Sequence, residues 1–143
     1  MARNRQTEVN RALLAAAGRS AGLLRLAGDG RLQVQGSQWT VGEVGAHLVM
    51  GLRAYRSLLE RRTDVVPSDF PAGASFAQRM AALTAAMLNI EPERDPAVLA
   101  DLLTAQAAEF LAVAAEHSAD EHVSTPWYGD GSSVSLATMT CLL

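Results

Sequence analysis

Three helix-start signals, each followed by apolar residues three and four apart, do most to constrain how this chain can fold. Thr40 and Glu43 have the spacing of a capping box: the threonine hydroxyl can accept from the Glu43 backbone N–H, and the Glu43 carboxylate can reach back to the N–H of Thr40. Ser75 and Gln78 repeat the arrangement, and Asp95 with Pro96 places an N-cap before a residue whose fixed φ suits the first helical position. Behind these starts lie three apolar faces: Val44, His47, Leu48, Gly51, Tyr55, Leu58 and Leu59; Met80, Leu83, Met87 and Leu88; and Leu99, Leu102, Leu103, Phe110 and Val113. An earlier helical pattern runs from Thr7 through Val9, Leu13, Ala16, Leu23 and Ala27, and Gly28-Asp29-Gly30 ends it. A last one, capped by Ser133, uses Leu136, Met139 and Leu143. Residues 61–73, with Pro67 and Pro71, and Pro126 to Gly131 read as loops. No convincing strand alternation, internal repeat or low-complexity tract is found. The expected fold is all-α: four main helices in a bundle, with a short 75–89 helix lying across a connection.

A chain of 143 residues, 49% hydrophobic and 19% charged, predicts one globular domain over 1–143. Its longest uncharged stretch, Gly131 to Leu143, is too short to span a bilayer, so no membrane partner is expected. Arg11, Arg19 and Arg25 break up the N-terminal apolar residues that a signal peptide would need, and Cys141 alone can form no internal disulfide. The expected location is cytoplasmic, with an Arg-rich mitochondrial presequence as the alternative. All twelve basic residues are arginine, and ten of them fall in residues 1–62 against four acids, a balance of +6; residues 63–143 carry a balance of −9. Either the halves attract one another on packing, the favoured reading, or a basic face steers an anionic small molecule. Nucleic acid is disfavoured as a partner, because the arginines are dispersed and aromatic residues for stacking are few. The chain stops at Leu143 inside an amphipathic pattern with no closing glycine, proline or basic residue, which predicts a fragment or a truncated relative of a longer protein with an incomplete last helix.

Few residues offer chemistry. The spacing of its neighbours places His47 inward, where a histidine is more often a core residue than a ligand. His117 and His122, five apart, would be separated by roughly 140° on a helix and read as solvated residues near a helix end rather than as a pair on one metal. Glu43 could pair with His47 one turn on, but the cap is its favoured role. No phosphate loop or nucleophile elbow is present, and Cys141 reads as a small apolar filler.

The segment Trp39-Thr40-Val41-Gly42-Glu43-Val44-Gly45-Ala46-His47-Leu48 resembles the DinB-like four-helix metal-binding domains, specifically the N-terminal type of mycothiol-dependent maleylpyruvate isomerases. Ser124-Thr125-Pro126-Trp127-Tyr128-Gly129 is similar to that family's Thr-Pro-Trp-Gly loop before the last helix. The two segments match in order and spacing along essentially the whole chain. The resemblance implies that His47 is a ligand of a divalent metal, usually zinc, completed by a glutamate and a histidine four apart on the last helix. Those two have no counterpart here, since Glu116, His117, Glu121 and His122 precede the last helix. For a complete member it implies an open metal that holds the sulfur of mycothiol or a similar thiol as thiolate, for addition to an electrophilic, often anionic, substrate or for S-transfer. The leading expectation is thus a thiol-dependent isomerase or transferase domain, incomplete by itself. Its competitors are a non-catalytic helical interaction or small-molecule-binding module that has lost the metal, and a truncation product without a stable fold.

Overall fold

The computed structural model describes residues 2–62, 70, 72–129 and 131–143, with side chains from Arg5 onward. Five helices appear, α1 (Ala2–Ala27), α2 (Val41–Leu59), α3 (Phe76–Ile90), α4 (Pro96–Ala114) and α5 (Leu136–Leu142), packed against one another as an all-α, DinB-like bundle. Most of the loop expected over 61–73, including Pro67 and Pro71, lies outside the described residues.

The three predicted helix starts form as hydrogen-bonded caps. Thr40 Oγ1 accepts from the Glu43 N–H at 3.3 Å while Glu43 accepts from the Thr40 N–H at 2.7 Å. Ser75 and Gln78 exchange the equivalent pair at 3.2 and 2.8 Å, and Asp95 accepts from Ala97 and Val98 behind Pro96 at N1. Gly28 ends α1 in the left-handed region at φ 70°, where a residue without Cβ carries no steric penalty. Arg94 closes α3, its guanidinium donating to the carbonyls of Leu88, Glu91 and Glu93.

Helix α4 is the centre. Its buried Leu99, Ala100, Leu103, Ala107 and Phe110 meet Leu13, Ala17, Ala21 and Leu24 of α1 and Ala46, Val49 and Leu52 of α2. At 19 residues and mean hydropathy 1.5 it is long and apolar enough to cross a membrane, a possibility that counting uncharged runs overlooked. In this fold it is the core helix between α1 and α2, and its Asp101 and Glu109 pair with Arg25 and Arg56. Those pairs, and Arg53 with Glu91, join the basic half of the sequence to the acidic half, as the packing reading of the charge split expected.

Several expectations need correction. Of the stripe read as the core face of α2, Leu59 is buried, but Val44, His47, Leu48, Gly51, Tyr55 and Leu58 are only half-buried; the buried face carries Gly42, Gly45, Ala46, Val49 and Met50. Small residues win there because the backbones approach closely: a Cβ on Gly45 would lie 2.9 Å from Leu99 Cδ1, and one on Gly42 would lie 2.7 Å from the Arg94 carbonyl oxygen. On α1, Leu23 is exposed rather than core, and the buried line is Leu13, Ala17, Ala21 and Leu24. A two-stranded antiparallel hairpin, β1 (His122–Ser124) with β2 (Ser133–Ser135), occupies ground read as loop. Ser133 is spent in β2, paired with Ser124, and Ser135 caps α5 instead.

Candidate functional site

Two connections carry the motif residues to α2. Between α1 and α2 the chain forms a tight hairpin in which the Val34 N–H donates to the Trp39 carbonyl and Gln33 bridges Thr40, bringing the Trp39 indole edge-on to His47 with ring centroids 5.0 Å apart. Between β1 and β2, Pro126–Tyr128 forms a 3-10 turn. It buries Trp127 among Met50, Ala54, Leu83 and Met87, joining α2 to α3.

Beside His47 and Trp127 lies a cleft of about 280 Å³, small for a ligand site. Helix α1 contributes Leu13, Ala16, Ala17 and Ser20; α2 contributes His47, Leu48, Gly51 and Tyr55; α3 contributes Met80, Leu83, Thr84 and Met87; and Trp127 and Tyr128 close one side. Gly51 has no neighbour within 4 Å of where a Cβ would stand, so it widens the cleft rather than admitting a packed helix. His47, Leu48, Gly51 and Tyr55, part of the stripe on α2 that looks like core, therefore line an open space.

Polar atoms in the cleft are few. His47 Nδ1 is buried and finds no hydrogen-bond partner among the described residues, and desolvation holds the imidazole below its usual pKa. The hydroxyls of Tyr55 and Tyr128 are hydrogen-bonded to each other. Burial first, and then that bond, pushes the Tyr55 phenol well above its ordinary range, with the Trp127 indole opposing the shift. Tyr55 also meets Trp127 edge-on at 5.4 Å, and Phe76 stacks on Tyr128. No charged side chain is among the described residues that line the cleft.

The other candidate residues go elsewhere. Glu43 is held in the cap. His117, read as solvated, is half-buried and shares a hydrogen bond with Glu121 at 3.0 Å, while His122 is exposed on β1 with Ser133 Oγ at 3.2 Å. Cys141 is exposed rather than filling a core. The described residues contain no group of three His, Cys, Asp or Glu side chains placed to hold a metal. Sequence reasoning missed the Tyr55–Tyr128 pair, because a contact between residues 73 apart leaves no local periodicity.

A family model described as the mycothiol maleylpyruvate isomerase N-terminal domain matches residues 11–143. No curated protein and no solved structure matches the chain.

Proposed function

Because the chain belongs to the mycothiol maleylpyruvate isomerase N-terminal domain family, we propose that the cleft beside His47 is a small-molecule site in which a thiol of the mycothiol type is brought against an electrophile, for isomerisation or S-transfer. The observation that carries this reading is His47 Nδ1, buried and without a hydrogen-bond partner among the described residues, at the wall of a largely apolar cleft. Leaving such an atom unmatched costs stability in the free protein, and a bound ligand would supply the partner. Burial favours the neutral ring, with a proton on one nitrogen and a lone pair on the other. That ring can take the S–H proton as the thiol becomes thiolate, and the thiolate is the form that adds to an electrophile. Apolar walls from α1 and α3 keep water from competing.

The family resemblance also makes His47 one of three ligands to a divalent metal, zinc. His47 suits the role, with a neutral ring and an unpartnered nitrogen, but the described residues offer no set of three donors around it. They do not by themselves fit a metal centre, and no step is drawn through one. The same shortfall favours a second reading, a non-catalytic small-molecule-binding module using the same cleft.

Titrating mycothiol into isotope-labelled protein, followed by NMR with chelator and then with one equivalent of zinc, tests the site. Shifts should centre on His47, Leu48 and Gly51, and His47→Leu should remove them. The same variant should hold or raise folding stability, by up to about 1–2 kcal/mol, because an unpaired buried nitrogen is gone. Mycothiol shifts that survive His47→Leu would sink the assignment. Zinc should bind only weakly, with or without His47; tight zinc binding would move any metal site to Glu43 with His47, or, if it survives His47→Leu, to the Glu116–His122 segment.

A further inference from the structure

Helix α2 carries three glycines, and close packing accounts for only two of them. Gly42 and Gly45 stand where a Cβ would come within 3.1 Å of Arg94, Leu24 or Leu99. Gly51 is different. It lies in the middle of α2, away from both caps and outside the left-handed conformation that favours glycine, and no described atom is within 4 Å of where its Cβ would stand. A glycine in a helix interior weakens the helix relative to alanine, and here no close approach of another element offsets that cost. What the missing methyl provides is room. Gly51 follows His47 by one turn on the same face, and both residues line the cleft. The α1 wall is likewise built mostly from short side chains, Ala16, Ala17 and Ser20. Because α1 and α2 both pack on α4 and hardly touch each other, the space between them is not consumed by a helix–helix contact.

We propose that Gly51 sets the size of ligand that the cleft admits: it reserves space for a molecule extending at least one helical turn, about 5.4 Å, beyond the group that meets His47. A methyl at this position would obstruct such a ligand while stabilising the empty protein, so residue 51 exchanges helix stability for room. This rests on the cleft being a ligand site, as in the function proposed above, and it restricts the ligands of that site to extended molecules whose body lies along α2.

Mycothiol is titrated by NMR, with chelator and then with one equivalent of zinc, into the full chain as wild type, Gly51→Ala, Gly51→Leu and Gly18→Ala, and each protein is also unfolded thermally without ligand. Gly18 lies on α1 outside the cleft lining, also with no described atom within 4 Å of its Cβ position, and serves as the control. Gly51→Ala and Gly18→Ala should both raise the melting temperature, by about 2–4 °C, since each adds a methyl to a helix without a clash. Only the change at residue 51 should weaken mycothiol binding, by about tenfold for alanine. Gly51→Leu should abolish the shifts at His47 and Leu48. A lower melting temperature in Gly51→Ala would show that the space is already filled in the free protein and overturns the proposal. Mycothiol binding to Gly51→Leu as tightly as to wild type, or equal losses in Gly51→Ala and Gly18→Ala, also overturns it and leaves the ligand site standing. If mycothiol shifts no cleft residue of the wild type, the size determinant and the ligand site both fall.

Discussion

Glu91 shows how one buried carboxylate links folding to pH. Burial raises its pKa, but the backbone N–H of Glu93 and the guanidinium of Arg53 outweigh that and hold it below the ordinary carboxylate value. A depressed folded-state pKa means that the unfolded chain binds the proton more readily. The contribution is therefore complete above the unfolded value near 4.5 and is lost as pH falls through the folded one. Urea midpoints measured from neutral pH downward should fall in that acidic window. Glu91→Gln should remove part of the slope and cost about 1–3 kcal/mol at neutral pH, by breaking a charge-assisted hydrogen bond beside a guanidinium that is itself only partly exposed. An unchanged slope in Glu91→Gln would assign the acid sensitivity to other carboxylates.

At the scale of elements, the joint between the α1–α2 hairpin and the start of α4 depends on two missing side chains. Gly30 accepts from the Gly42 N–H at 2.9 Å, and both glycines press on the Arg94 carbonyl oxygen, which would stand 1.9 Å from a Cβ on Gly30. Backbone cannot yield as a side-chain tip can, so Gly30→Ala should destabilise by about 1–3 kcal/mol or more, through forced displacement of the segment that leads into α4. Gly18, exposed in α1 with nothing within 4 Å of a Cβ position, is the control: Gly18→Ala should stabilise by about 0.5–1 kcal/mol through helix propensity alone. Opposite signs in thermal unfolding of the two variants would separate close packing from backbone entropy. Equal effects would show that the Gly30 contact is not a constraint.

Across the whole molecule, one helix sets cooperativity. Phe110 is fully buried in α4, within the cluster that includes residues of both α1 and α2. Phe110→Ala should cost about 3–5 kcal/mol. Because α4 packs on both partners, the loss should be shared: hydrogen-exchange protection in α1, α2 and α4 should drop together. The second cluster, where Trp127 meets Met50, Leu83 and Met87, should keep more of its relative protection. Loss confined to α4 would mean that the three helices are not one cooperative unit.

Local chemistry alone determined where α2, α3 and α4 begin, since a capping box or an Asp-Pro start needs only residues three or four apart: Thr40, Ser75 and Asp95 cap as expected. The same reach made the motif around His47 readable, together with its membership of a family that matches residues 11–143. Which face each helix buries was decided only by tertiary contact. Large apolar residues on α2 suggested a core stripe, but Gly45 lets Leu24 of α1 and Leu99 of α4 come closer than a side chain would permit, Gly42 does the same for Arg94, and His47, Leu48, Gly51 and Tyr55 were left to line a cleft. Ser133 and Ser135 carry the same capping chemistry, and the choice between them came from pairing across a hairpin. The hydroxyl pair of Tyr55 and Tyr128 lies 73 residues apart and exists only because a 3-10 turn folds back on α2. Periodicity reports that a residue is apolar and on a face; what stands opposite that face is fixed by chain segments far away in sequence, and it is there that core and cleft part company.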